Sequence, residues 1–215
     1  MKKNWLYLLL MIMTVLLLIS CGAEQQEEQI EEDADQQELE ETGETERDEE
    51  EQVLDEATGH DEGDVVENEG GTFTLISKQD DIESQETGPM IVDITQINAS
   101  SGQLQGDLAD FLETTEIEYI QVDMEVENTS DDTIFFYPGQ ATITTNTGEQ
   151  LESDMWLSDH IDGEFIGAVR KSGSQFFILE NSTADEIETV RIIINAPHNE
   201  EWEDVGDKID FTVEF

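Results

Sequence analysis

Hydrophobic and polar positions alternate most clearly in the middle of the chain, where Ile120, Val122, Met124 and Val126 interleave with Gln121, Asp123, Glu125 and Glu127. A period of two is the mark of a β-strand with one face buried and one face wet. The alternation returns at Ile209, Phe211, Val213 and Phe215, which are separated by Asp210, Thr212 and Glu214. Shorter apolar runs predict further strands at 73–76, 90–97, 133–137, 141–145, 175–179 and 190–194. Clusters of turn-forming residues separate them: Asn128-Thr129-Ser130-Asp131-Asp132, Asn146-Thr147-Gly148, Lys171-Ser172-Gly173 and Ala196-Pro197-His198-Asn199. One helical interruption is expected at 106–112, where Leu108, Phe111 and Leu112 have helical spacing. About eight short strands with so little helix predict an all-β fold, an antiparallel two-sheet sandwich. The stretch 71–215 is long enough for one hydrophobic core and too short for two lobes, so a single domain is expected there.

The amino-terminal pattern is different. Lys2 and Lys3 precede a nearly unbroken apolar run from Trp5 to Ile19, which ends in Leu18-Ile19-Ser20-Cys21. A charged start, an apolar stretch and a small-residue site are the parts of a secretory leader. The run also falls short of the roughly 20 residues a membrane-spanning helix needs. Leu18, Ile19, Ser20 and Cys21 together resemble the lipobox of bacterial lipoproteins. That resemblance implies cleavage after residue 20, a diacylglyceryl group on the Cys21 sulfur, and attachment to the extracytoplasmic face of the cell membrane. Two acyl chains anchor stably where one binds only marginally, at about 0.8 kcal/mol per buried CH₂. Cys21 is the only cysteine, so neither an intrachain disulfide nor a Cys-based metal site is available.

Between these regions, 21–70 reads as a tether. From Gly22 to Gly70 there are 23 acidic residues against the single basic Arg47, and Ile30, Leu39, Val53, Leu54, Val65 and Val66 are too sparse to build a core. Such a segment cannot offset the entropy of ordering, and it repels itself. Fully extended it would reach at most roughly 160 to 175 Å, against about 35 to 40 Å for a neutral flexible chain. The predicted organisation is therefore a leader (1–20), a lipidated Cys21 with an acidic tether (21–70) and a β-sandwich (71–215).

A second resemblance covers roughly 116–215. The run Glu118-Tyr-Ile-Gln-Val-Asp-Met-Glu-Val-Glu-Asn128-Thr-Ser, the segment 141–145, the hairpin Asn146-Thr-Gly148-Glu and the late run Ser174-Gln-Phe-Phe-Ile-Leu179 are similar to the immunoglobulin-like, telokin-like domains of secreted Gram-positive lipoproteins. The resemblance implies an immunoglobulin-like fold and an envelope location. It brings no functional residues, because those domains have no generally assigned activity.

Charge narrows the chemistry. With 55 acidic and 8 basic residues the chain carries a formal charge of −47, which repels phosphate and disfavours nucleic acid as a partner. The three histidines, His60, His160 and His198, are far apart in sequence, and zinc would need further ligands from a chain without a free thiol. Neither a Gly-x-Ser-x-Gly elbow nor a Ser-x-x-Lys pair is present, and the glycines lack phosphate-loop spacing. Asp154, Asp159, Asp162 and Glu164, close together around Trp156 and His160, are the candidate metal ligands. Oxygen donors from one loop suit calcium, although their spacing is not that of an EF-hand. Phe135-Phe136-Tyr137 and Phe176-Phe177 put aromatic rings on both faces of their strands, to be covered either by loops or by a partner.

These features together predict a membrane-anchored, non-enzymatic module that binds an envelope protein or ligand and needs no cofactor. A calcium- or small-ligand-binding accessory lipoprotein is the alternative, which a pocket between the sheets lined by Trp156 and Trp202 would favour. A cell-wall hydrolase would require two carboxylates flanking a cleft. A transporter's substrate-binding protein is disfavoured by length.

Overall fold

A computed structural model describes residues 61–215. Cys21, the lipobox residues and most of the expected tether lie outside the described residues. Twelve strands follow one another along this part: β1 (Val65–Asn68), β2 (Gly71–Gln79), β3 (Gln85–Thr87), β4 (Met90–Leu104), β5 (Glu116–Asn128), β6 (Thr133–Phe136), β7 (Thr142–Thr145), β8 (Gln150–Glu152), β9 (Gly163–Ile166), β10 (Arg170–Ile178), β11 (Thr189–Ile194) and β12 (Ile209–Glu214). Among the described residues a single short α-helix, α1 (Gly106–Leu112), sits at the predicted position between β4 and β5. The larger sheet has the order β1-β2-β4-β5-β10, with β3 added against the start of β4. The smaller runs β12-β11-β7-β8, and β6 with β9 forms a two-stranded ribbon. Every ladder is antiparallel. The architecture is the all-β antiparallel sandwich that the alternation predicts.

The β4–β5 hairpin is the spine of the larger sheet, paired from Met90↔Asn128 to Gln103↔Glu116. Its register shifts between Ile94 and Gln96, and an extra residue on one strand reverses which positions face inward. Met90, Val92 and Ile94 are buried before the shift, Ile97 and Ala99 after it. The main core is therefore continuous along a strand whose sequence changes phase. It joins these side chains and Ile120, Val122, Met124 and Val126 to Ile143, Val190, Ile192, Ile194 and Val213 of the smaller sheet. Each fully buried side chain of this size contributes about 1.5–3 kcal/mol.

The fold departs from the sequence-based expectation in two places. First, the sheet starts inside the stretch expected to be tether: Val65–Asn68 pairs with Gly71–Thr74. Val65 is more than half exposed, so β1 carries almost no apolar pattern. It is fixed by its turn instead. The Asn68 side-chain carbonyl accepts from the N–H groups of Gly70 and Gly71 at 2.9 and 3.2 Å. A Cβ on Gly71 would lie 2.2 Å from the Gln103 carbonyl oxygen, at a φ of +155°, so only glycine lets β2 approach β4 there. Second, the face of β5 expected to be wet is covered at its centre. Gln121 is buried and pairs across the sheet with Phe176, a member of a second cluster of Phe73, Leu104, Leu108, Ile117, Tyr119, Leu157 and Phe176. Leu108 comes from α1, and Leu157 from the connection between β8 and β9.

Candidate functional site

That connection, residues 153–162, lies along β10, the edge strand of the larger sheet. An exposed edge offers unpaired backbone groups to other chains, and proteins cover it. Here the loop does so with alternating backbone and side-chain bonds. The Asp154 N–H donates to Phe176 O (2.7 Å) and the Asp159 N–H to Ser174 O (2.9 Å). In return, the Ser158 hydroxyl accepts from the Phe176 N–H (2.9 Å) and the Asp159 carboxylate from the Ser174 N–H (2.7 Å). Gly173 makes the approach possible, since a Cβ there would meet the Asp159 Cβ at 2.4 Å.

The four candidate calcium ligands are not brought together into one cage. Asp154 closes its own turn, accepting from the N–H groups of Trp156 (2.8 Å) and Leu157 (3.1 Å). Asp159 caps the β10 edge. Asp162 accepts from the Gly139 N–H (2.7 Å) and the Gln140 amide (3.2 Å), while Glu164 sits exposed on β9. Among the described residues no group of three or more His, Cys, Asp or Glu side chains is placed to hold a metal ion. Short polar residues in a loop also make turns, as Asp154 does, while Asp159 and Asp162 tie the loop to more distant backbone.

With its base fixed, the loop presents a tip. Leu157 is buried, but Met155 and Trp156 before it are 73% and 65% exposed. Met155 stands between two depressions. One, of about 500 Å³, is lined by Tyr137, Gln140, Glu152, Asp159, His160 and Asn195 among others. The other, of about 540 Å³, lies on the Leu151, Trp156, Ile178 and Glu180 side.

Among the described residues, the pocket between the sheets lined by Trp156 and Trp202 that would favour a small-ligand role is not formed. The interior is filled by the aliphatic core, and Trp202, 76% exposed, stands on the connection between β11 and β12. Its ring stacks on His198 at 4.4 Å between centroids, and His198 stacks in turn on Phe135 at 5.2 Å. Tyr137 closes the group at 6.1 Å from His198. The remaining aromatics on these strands are covered: Phe136 and Phe177 in the main core, Phe176 in the outer cluster. Periodicity could not have found the stack, because its members are brought together only when 198 pairs with 135.

Two buried polar residues were also missed as organisers. The Asn128 amide donates to the carbonyls of Asp132 (2.8 Å), Phe165 (3.3 Å) and Gly167 (2.9 Å), locking the β5–β6 turn to β9. The Glu149 carboxylate accepts from the N–H groups of Glu180 (2.9 Å) and Asn181 (3.2 Å) and from the Ser182 hydroxyl. Burial alone would push Glu149 up, but these donors outweigh it and hold the group below the usual carboxylate range. Glu118 moves the other way, raised chiefly by burial.

All five basic residues from Gly70 onward are engaged. Arg170 meets Glu125 and Glu127, Arg191 and Lys208 meet Asp210, and Lys78 meets Asp80. Lys171 donates to the Asp162 carbonyl (2.7 Å) and lies 4.4 Å from the Phe165 ring centroid. The 32 acidic residues of this stretch therefore dominate the remaining surface.

Over 153 residues, covering 70% of this chain and 70% of that protein, the chain is 31% identical to the SPbeta prophage-derived uncharacterized lipoprotein YonS of Bacillus subtilis (strain 168). The chain belongs to the YonS lipoprotein family. No protein-family model matches it. A functionally unknown protein from Listeria monocytogenes EGD-e shares the fold, with a TM-score of 0.51 at 13% identity over 68% of this chain and 88% of that one. The ycdA protein of Bacillus subtilis superposes at a TM-score of 0.42 and 11% identity, over 61% of this chain and 38% of that one.

Proposed function

We propose that this YonS-family chain is a non-enzymatic display module of the bacterial envelope, held on the extracytoplasmic face of the membrane by a lipid on Cys21. In this reading the acidic segment after Cys21 is a spacer, and the immunoglobulin-like sandwich recognises a protein partner through the tip of the 153–162 loop. One observation carries the binding role. Met155 and Trp156 are exposed side by side on a loop whose base is bonded to an edge strand. Methionine and tryptophan are enriched in interface cores, and a pre-fixed loop loses little entropy on binding. The lipobox and the relation to YonS support the anchor. The non-enzymatic reading is supported by the carboxylates lining the 500 Å³ depression, since Asp159 and Asp162 serve as acceptors for backbone N–H groups.

Two experiments test the proposal. Cys21→Ala should abolish the lipidated mature form and shift the protein out of the membrane fraction; an unchanged mature mass with full membrane retention overturns the anchor. In intact membranes, crosslinking followed by capture of the full-length protein should recover a partner that is lost with Met155→Ala/Trp156→Ala and kept with Ile166→Ala, another exposed apolar residue. Equal loss with both variants overturns the role of the tip. A small-ligand role is favoured by one observation, the 500 Å³ depression, which lies within the range of ligand sites.

A further inference from the structure

We infer that the β11–β12 connection is a second binding surface, on which Trp202 receives an arginine side chain from a basic segment of a partner protein. This goes beyond the loop-tip reading and stands without it, since no residue of 153–162 is needed. Trp202 is the most exposed large apolar side chain among the described residues, at 76%. Its backbone is left-handed, at a φ of 63°, a conformation that costs a bulky residue about 1–3 kcal/mol unless the surroundings enforce it. The turn does enforce it. The Asn199 side chain accepts from the N–H groups of Glu201 (3.0 Å) and Glu203 (2.9 Å), and the Trp202 N–H donates to Asn199 O (3.1 Å). The indole is thereby laid over His198, with an interplanar angle of 19°.

The chemistry around the ring selects the ligand. Glu200, Glu201, Glu203, Asp204 and Asp207 surround Trp202 in sequence, and all five are exposed. The next cation along the chain, Lys208, is bonded to Asp210 at 2.9 Å. An exposed indole face amid carboxylates attracts a cation twice, through the ring quadrupole and through the field of the acids. Guanidinium suits the place better than ammonium, because it is planar, weakly hydrated and stacks on aromatic faces. The shape of the surface decides between a small cation and a basic polypeptide. Sites for small molecules are concave and bury most of the ligand, whereas Trp202 stands out from its turn. A single small cation covered on one side gains little, while a segment with several arginines meets several carboxylates at once. Tyr137, which stacks on His198, also lines the 500 Å³ depression with Glu152, so the acidic surface continues beyond the ring.

The test titrates full-length protein in detergent micelles with a fluorescent Arg-Gly repeat peptide, a Lys-Gly peptide of equal charge and a neutral chitooligosaccharide. The acidic segment before residue 61 attracts any polycation, so the discriminating quantity is the effect of substitution at 202. Trp202→Ala should weaken the arginine peptide about two- to thirtyfold, the scale of a cation–π contact, and the lysine peptide less. Trp202→Phe should recover part of the loss, and Glu200→Gln/Glu201→Gln should weaken binding with the ring intact. Equal affinity of wild type and Trp202→Ala for the arginine peptide overturns the proposal. So does Trp202-dependent binding of the neutral sugar with no preference for arginine.

Discussion

The two faces of the larger sheet are built from the same strands and solve burial differently. On the inner face, every second residue of β5 from Ile120 to Val126 is aliphatic or methionine and meets the smaller sheet. On the outer face, an aromatic group of Phe73, Tyr119 and Phe176 lies under α1 and Leu157 and continues into a chain of amides, hydroxyls and a carboxylate. The Asn98 amide donates to Gln121 (3.4 Å) and the Ser100 hydroxyl to Asn98 (3.0 Å). The Gln121 amide and the Ser174 hydroxyl both donate to Asp123, at 2.8 and 2.7 Å. Ser174 also meets the loop through Asp159. The inner face supplies stability through area removed from water. The outer face supplies position, by connecting mid-sheet polar groups to the loop that carries Met155 and Trp156.

Phe176 and Phe177 are adjacent, equally buried and on opposite faces, which makes them a direct test of this difference. Phe177→Ala should cost about 3–5 kcal/mol, because the inner core is held between two sheets and cannot close over the cavity. Phe176→Ala should cost less, about 2–3 kcal/mol, because a loop and a short helix can settle into the space. It should also speed hydrogen exchange at the Asp154 and Asp159 amides, whose acceptors lie on β10. Denaturant melts measure the first effect and exchange the second. Equal costs with no change in loop protection would mean that the two faces are equivalent.

The sequence made the inner face legible and left the outer one obscure for a definite reason. Ile120, Val122, Met124 and Val126 announce themselves by period, whereas Gln121 has the same polarity whether it faces water or a network. Strands β3, β8 and β9 have three or four residues each, too few to show a period, and are placed by their partners. The phase change in β4 falls at Thr95-Gln96, between Ile94 and Ile97, and which residues face inward on either side is fixed by the pairing with β5. Asp154, Asp159 and Asp162 were legible as a group of oxygen donors. That their acceptors are used by backbone N–H groups depends on the position of β10 and is invisible in the sequence. The stacking of Trp202 on His198 and Phe135 depends on a contact between distant segments.

The polar side of the comparison is probed next by Gln121→Leu, which keeps the volume roughly constant and removes the amide. The Asn98 donor and one Asp123 acceptor site would then lack that partner, at about 1–3 kcal/mol. If the variant is as stable as wild type, the network contributes position alone. Glu149→Gln extends the test to a buried carboxylate outside the sheet face, with an effect on the same scale, about 1–3 kcal/mol at pH 7. The pH dependence gives the sign. Glu149 is held below its ordinary value of 4.5, so its contribution is complete above that pH and is lost as pH falls through the lower folded value. Asp210, depressed by Arg191 and then Lys208, acts in the same direction. Glu118, raised by burial, opposes them. The stability curves of wild type and Glu149→Gln should therefore separate at neutral pH and converge in acid; a constant gap would contradict the assignment.

A smaller effect is expected where neither face is involved. A chain starting at Gly70 lacks β1, whose side chains are exposed or half-buried, and should retain a cooperative melt at a cost of about 1 kcal/mol. The loss is mainly of ladder hydrogen bonds, each worth about 0.5–1.5 kcal/mol net, partly replaced by water at the new edge. Its uncovered β2 edge should make it more prone to associate than a chain starting at Asp61. Light scattering at rising concentration checks this, and complete loss of the melt would show that β1 is part of the core.

Salt should produce a change no larger than this, and its sign tests whether the acidic surface opposes folding. Screening acts on two opposed sets of charges. It weakens the exposed pairs of Arg170 with Glu125 and Glu127 and of Arg191 and Lys208 with Asp210, but such pairs contribute about 0–1 kcal/mol each. It also relieves repulsion among 32 acidic residues, against which the stretch from Gly70 sets only five basic ones, and folding brings these charges closer together. The imbalance decides for repulsion. Raising sodium chloride from about 0.01 to 1 M shortens the screening length from about 30 to 3 Å, and should stabilise the domain by about 1 kcal/mol, a Tm rise of about 2–4 °C for a domain of this size. Calcium chloride at matched ionic strength should add nothing beyond this screening, because Asp154, Asp159 and Asp162 each serve a separate turn or edge. An additional rise reversed by a chelator would mean that these carboxylates leave their backbone partners to form an ion site. A Tm that falls with sodium chloride would mean that the few ion pairs outweigh the repulsion, and that the acidic excess is spaced widely enough to leave the fold unstrained.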